Sequence, residues 1–173
     1  MSRDFASLTP QETLLAAITI EERNGRLYRN YAEMFEELSD PDSQQVAQAF
    51  REMAEEEDRH AAQLRASYLE RYEKQLCLLT PSEMADTIEF PRLEDGDIYS
   101  VGRMRVGSIS RVNALRVALA AEEHARRFYQ RLAEGASDPP MARLYAELAQ
   151  FEAGHIVFLN QKLRGISHLT NAG

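Results

Sequence analysis

Apolar residues recur along the chain at alternating spacings of four and three, the rhythm that keeps one face of an α-helix apolar. One stretch carries Leu14, Ile18, Gly25, Tyr28, Ala32 and Phe35, a second Val46, Phe50, Met53 and Leu64, and a last one Met141, Tyr145, Leu148 and Leu159. A third stretch, Val112, Leu115, Leu119, Ala125, Tyr129 and Leu132, keeps the rhythm slightly less regularly. Each has a start signal. Thr9-Pro10-Gln11-Glu12 forms a capping box with proline at the first helical position, Asp40 precedes Pro41, Ser108 or Ser110 precedes the third stretch, and Ser137-Asp138 precedes Pro139-Pro140. The pattern predicts an all-α chain with helices A to D over about 10–38, 41–73, 110–134 and 139–164.

The connections set the topology. The A–B and C–D loops are short, so each pair is expected to be an antiparallel hairpin. Residues 74–108 hold Pro81, Pro91, Gly96, Gly102 and Gly107 without a sustained period, and only Thr80-Pro81-Ser82-Glu83 could start a short helix. That segment is long enough to run the length of a bundle, and short, long, short describes a four-helix bundle with one crossover between B and C. An internal repeat agrees. Ile18-x-x-Glu21 followed by Tyr28 matches Leu119-x-x-Glu122 followed by Tyr129. Met53-Ala54-x-x-Glu57-x-x-His60-x-x-x-Leu64 matches Leu148-Ala149-x-x-Glu152-x-x-His155-x-x-x-Leu159. The two halves are expected to be related by a pseudo-two-fold axis within one domain spanning 1–173.

The candidate chemistry lies on the apolar stripes themselves. Every helix places one glutamate there, Glu21, Glu57, Glu122 or Glu152, and helices B and D add His60 and His155 one turn later. The phase selects Glu57 over Glu55 and Glu56, and Glu21 and Glu122 over Glu22 and Glu123. Desolvation and mutual repulsion would oppose ionisation of four carboxylates in a dry core. Two divalent cations would cancel their charge, with the imidazoles completing the shells, and this donor set suits iron or manganese. A bundle with a few water-satisfied polar groups could carry one such motif, but not readily two in register, each paired with an upstream glutamate. Two metal ions bound by the six residues are therefore expected. Tyr28 and Tyr129, two turns from Glu21 and Glu122, could hydrogen-bond a ligand carboxylate as readily as they could serve as core tyrosines.

Composition narrows the rest. The 173 residues suit one domain with a substantial core, and the net charge of −8 argues against a nucleic-acid partner. The single cysteine, Cys77, excludes an intrachain disulfide and any cysteine-built metal centre. With no apolar leader after Met1 and no span long enough for a bilayer, a cytoplasmic protein without membrane insertion is expected.

At this point the chain resembles the ferritin-like superfamily in its rubrerythrin branch, over about residues 8–165. Phe50-Arg-Glu-Met-Ala-Glu-Glu-Glu-Asp-Arg-His60 resembles the second rubrerythrin helix, and Glu122 followed by Phe128-Tyr129 the third. Leu8-Thr9-Pro10 leading to Glu21-Glu22, Gly25 and Tyr28 is similar to the ferritin domain of erythrin, or membrane-bound ferritin A. The resemblance implies a di-iron oxidoreductase that oxidises Fe(II) with O2 or H2O2. Glu21 and His60 would be terminal ligands of one iron, Glu122 and His155 of the other, with Glu57 and Glu152 bridging. Two alternatives stand beside it, an iron-binding module that senses or delivers the metal without turnover, and a di-manganese site that disproportionates peroxide. Rubrerythrins carry a further glutamate where this chain has Ala125, and Cys77 alone cannot supply their rubredoxin centre. The transporter domain of erythrin-type proteins is absent from these residues. The electron donor, and whether the chain is excised from a longer one, are left open.

Other residues are expected to be bland. His124, His168 and the run Glu55, Glu56, Asp58 read as solvated, and Asp95-Gly96-Asp97 is too short for a calcium loop. The crossover's Leu76, Leu78, Leu79, Ile88, Phe90, Ile98, Tyr99 and Val101 suggest burial against a second subunit. A homodimer is therefore expected. The few polar residues after Gly165 argue against the fifth helix of a 24-subunit cage.

Overall fold

The computed structural model describes residues 8–72, 92–93, 96–97 and 110–170, with side chains of the last helix as far as Ile166. Four helices make up almost all of it: α1 (Pro10–Glu36), α2 (Pro41–Tyr72), α3 (Arg111–Gly135) and α4 (Pro139–Thr170). The starts are those the sequence signals. Thr9 Oγ1 accepts from the Glu12 amide at 3.2 Å, while Glu12 Oε2 accepts from the Thr9 amide at 2.8 Å. Asp40 caps α2 by accepting from the Ser43 amide at 2.9 Å. At α3 the cap is Ser110, which accepts from the Asn113 amide at 3.2 Å. These bonds satisfy amide donors that the first helical turn leaves without intrahelical partners.

α1 and α2 form one antiparallel hairpin and α3 and α4 the other, and the pairs approach each other most closely through α1 and α3. Gln44 closes the first turn, donating to the carbonyls of Glu36 (3.0 Å) and Leu38 (2.6 Å). Ion pairs stitch the hairpins at both ends, Arg111 to Asp40 near the α1–α2 turn and Arg71 to Asp138 at 2.7 Å near the α3–α4 turn. The long connection after α2 contains a two-residue antiparallel ladder, β1 (Arg92–Leu93) against β2 (Gly96–Asp97), with Arg92 opposite Asp97. The composition of this stretch predicts no strand. The suggested short helix at residues 80–83 and Cys77 lie outside the described residues.

Two helix expectations need correction. α4 continues through Gly165 to Thr170, so the residues read as a polar tail, His168 among them, belong to the helix. A glycine inside a helix costs only about 1 kcal/mol relative to alanine, and Leu163 and Ile166 on either side pack against the core. On α3 the deep stripe runs through Ala114, Leu115, Ala118, Glu122, Ala125 and Tyr129, with Val112 and Leu119 only half-buried. Small alanines face inward there because α3 is the helix that approaches α1 across the bundle.

The core has two apolar parts. One gathers Leu14, Ile18, Leu64, Tyr129, Tyr145 and Leu148, the other Tyr28, Tyr31, Phe35, Phe50, Met53, Leu115 and Leu159. The six candidate ligands belong to neither cluster.

Candidate metal centre

The helices converge their stripe glutamates at one level of the bundle. Glu21, Glu57, Glu122 and Glu152 are fully buried, and His60 and His155 are each 6% exposed. Their donor atoms fall into two sets, each spanning no more than 4.8 Å: Glu21, Glu57, His60 and Glu152, and Glu57, Glu122, Glu152 and His155. Glu57 and Glu152 belong to both sets. His60 Nδ1 lies 3.2 Å from Glu21 Oε2, and His155 Nδ1 lies 3.2 Å from Glu122 Oε2, so the halves match ligand for ligand. His155 Nδ1 is also 3.4 Å from Glu57 and 3.6 Å from Glu152.

The shared pair is where the donor set demands a partner. Both oxygens of Glu57 and both of Glu152 are enclosed with no hydrogen bond. Groups of this kind are otherwise nearly always satisfied inside proteins. Burial, and then the charges of the neighbouring glutamates, hold both carboxyls well above the usual carboxylate range. Burial likewise acts to raise Glu122, but contacts with Glu152, His155 and Tyr28 outweigh it and lower that carboxyl. At His155 burial disfavours the imidazolium, yet Glu122, Glu152 and Glu57 prevail and raise the ring far above its ordinary value. Raised carboxyls and a raised imidazole gathered in one enclosed cluster are the electrostatic shape of a site for divalent cations, which can take the place of the protons.

The two tyrosines cross between hairpins. The Tyr28 hydroxyl on α1 donates to Glu122 Oε1 on α3, and the Tyr129 hydroxyl on α3 donates to Glu21 Oε1 on α1. Each oriented carboxylate keeps its second oxygen, Oε2, toward the histidine of its own set. Burial, followed by the nearby carboxylates, pushes both phenols well above their usual range, so they stay protonated donors.

Two neighbours are unexpected. Glu56, read as a solvated helix face, reaches across to His155, with Oε2 2.6 Å from Nε2. Phe151 lies against the ring of His60, centroids 4.8 Å apart and planes at 43°. Asn24, one turn beyond Glu21, is fully buried as well, while His124 is half-buried rather than solvated. The repeat could have exposed the first two, because Glu56 and Phe151 each immediately precede a matched glutamate, Glu57 and Glu152. The other members of the acidic run do face outward, and Asp58 pairs with Arg29 at 2.6 Å. A cavity of about 560 Å³ opens at the end of the bundle between Leu14, Arg71, Arg131 and Tyr145, and none of the six residues lines it.

Gly25 sets the approach of α1 to this centre. A Cβ there would meet the Cβ of Glu57 at 3.2 Å and Asp58 Oδ1 at 3.3 Å. Gly25→Ala should gain up to about 1 kcal/mol of helix propensity, offset by crowding that displaces Glu57. The expected outcome is a metal-free melting temperature close to that of the parent chain, with divalent-cation affinity reduced in both sets. A calorimetric titration that finds affinity unchanged would show that Glu57 does not depend on this contact.

The described helices include none long and apolar enough to cross a membrane. Among solved structures, the chain is similar to an uncharacterized conserved protein from Magnetospirillum magnetotacticum MS-1, at 24% identity and TM-score 0.69, over 91% of this chain and 95% of that one. It is also similar to a hypothetical protein from Pyrococcus furiosus, at 22% identity and TM-score 0.64, over 92% and 90% of the two chains. These likenesses show the fold. No curated protein matches the chain. The rubrerythrin family model matches residues 12–93 and 113–170, which take in all four helices and all six residues of the buried cluster. With that match over most of its length, the chain belongs to the rubrerythrin family, and its buried carboxylate and histidine cluster is compatible with that family's di-iron site.

Proposed function

We propose that this protein is a di-iron oxidoreductase that oxidises Fe(II) with O2 or H2O2. The observation that carries the reading is the overlap of two four-residue donor sets at Glu57 and Glu152, whose buried oxygens make no hydrogen bond. Glu21 and His60 would hold one ion, Glu122 and His155 the other, with Glu57 and Glu152 shared between them. Iron held in this way supplies the one-electron chemistry and the affinity for oxidant that side chains lack. The remaining work falls to the chain. Tyr28 and Tyr129 orient the outer carboxylates, and the apolar clusters exclude bulk water. Glu57 and Glu152 give up their protons as cations enter, so loading should release acid.

The test is anaerobic loading with Fe(II) followed by O2 and, separately, H2O2. About two irons per chain are expected by metal analysis, and oxidant should produce the ultraviolet absorbance of an oxo-bridged ferric pair. Saturation at one iron or none would end the two-metal reading. Two irons that stay ferrous under both oxidants would favour the alternative of an iron-holding or iron-delivering module. One feature leans that way: Ala125 is buried in the apolar core where rubrerythrins carry a further glutamate.

A further inference from the structure

The six-residue cluster is nearly symmetric, but the layer outside it is not. Glu56 and Phe151 occupy the same position of the two halves, one residue before Glu57 and Glu152. Each reaches across to the histidine of the opposite hairpin. Glu56 places a carboxylate oxygen 2.6 Å from Nε2 of His155, whereas Phe151 lays an aromatic ring 4.8 Å from that of His60. When a cation takes the place of the Nδ1 proton, a carboxylate on Nε2 selects the tautomer that donates there, which leaves the Nδ1 lone pair for the ion beside Glu57, Glu122 and Glu152. It also makes Nδ1 a stronger donor to a cation, and outer carboxylates of this kind typically change metal affinity about 10- to 100-fold. A phenyl ring has no acceptor to offer, so His60 gets neither effect from Phe151. Both side chains lie at the edge of the site, Glu56 with 42% of its side chain exposed and Phe151 52% exposed, so either can be exchanged without opening the core.

We propose that Glu56 makes the two metal positions unequal, so that the one served by His155 and Glu122 fills first and more tightly, and the one served by His60 and Glu21 is the weaker, exchangeable one. Glu56 acts as a positioning residue through His155. The inference rests on the two-metal reading above and adds an order of filling to it.

Co(II) is a suitable probe, because its visible absorbance and its binding heat can be followed on the anaerobic full chain without turnover. Two events of unequal affinity are expected, with His155→Ala removing the tighter and His60→Ala the weaker. Glu56→Ala should weaken the tighter event about 10- to 100-fold and leave the weaker within a few-fold. Phe151→Glu, which supplies the missing carboxylate beside His60, should tighten the weaker event. In the combined variant Glu56→Phe with Phe151→Glu the order of filling should reverse, a result that a general loss of structure could not produce. The inference is overturned if Glu56→Ala leaves both events unchanged or weakens both alike, or if His60→Ala removes the tighter one. Binding of two Co(II) with equal affinity in the parent chain defeats this inference alone, whereas no binding of two Co(II) defeats the two-metal reading and this inference together.

Discussion

Replacing Glu57 by leucine is expected to abolish metal loading in both positions and, at neutral pH, to raise the melting temperature of the metal-free chain. Loss of loading follows from membership of both donor sets: each would be left with three ligands, and Glu152 alone would have to serve both positions. The gain in stability follows from what Glu57 does without a cation. It is fully buried between apolar clusters, with neither oxygen hydrogen-bonded. An unsatisfied buried polar group costs about 1–3 kcal/mol, and an apolar side chain of similar volume removes that cost. For a chain of this size the gain corresponds to roughly 2–10 °C. Thermal melts with and without Fe(II) or Mn(II) check both halves of the expectation. The parent should be stabilised by metal and the variant should not, while the metal-free variant should melt above the metal-free parent. A variant that melts lower, or still responds to metal, would contradict the role given to Glu57.

The second large effect is on pH dependence, which metal should reverse. Glu57 and Glu152 have carboxyls raised by burial and by neighbouring charge. A carboxyl raised by folding contributes stability that is fully present below its unfolded value and is lost as pH rises through the folded one. His155, raised against burial by its three carboxylate neighbours, has the same sign, with its contribution present below the ordinary imidazole range and lost above it. Glu122 is lowered and acts oppositely, but its contribution is lost only as pH falls below the usual carboxylate range. From about pH 5.5 to about pH 8, the metal-free protein should therefore become less stable as pH rises. The loaded protein should become more stable over the same window, because protons compete with cations for the ligands. Parallel melts across that window should show a gap that widens with pH. Curves that run parallel would mean that the carboxylates are ionised in both states.

The helices and the six clustered residues could be read from sequence because both depend on periodicity. An α-helix turns about 100° per residue, so a residue in phase with Met53 and Leu64 must share their face. That singled out Glu57 from three consecutive glutamates, and the structure buries it fully. The same reasoning misplaced Glu56. Its Cα lies about 100° away, on the flank, but a glutamate side chain is long enough to bend back toward a histidine on another helix. Phase locates backbone positions, and long polar side chains are not bound by it. The end of α4 was missed for a different reason. Gly165 reads as a stop, but Leu163 and Ile166 pack against the core and carry the helix past it. The inward turn of Ala114 and Ala118 on α3 was hidden too, since alanine is apolar enough for the core yet common on helix surfaces.

The crossed tyrosines have a consequence for how the chain reaches its folded form. Within each hairpin, contacts join residues close in sequence, the kind that form early and quickly. The contacts that complete the centre are of the opposite kind: Tyr28 to Glu122 spans 94 residues, Tyr129 to Glu21 spans 108, and His155 to Glu56 spans 99. Neither hairpin contains a full set of ligands, and neither orients its own terminal carboxylate. The centre is therefore assembled by the slowest class of loop closure in the molecule, the docking of one finished hairpin on the other. Until that happens no four-residue donor set exists, so on this reading the affinity of the centre for a cation reports that the two hairpins have docked.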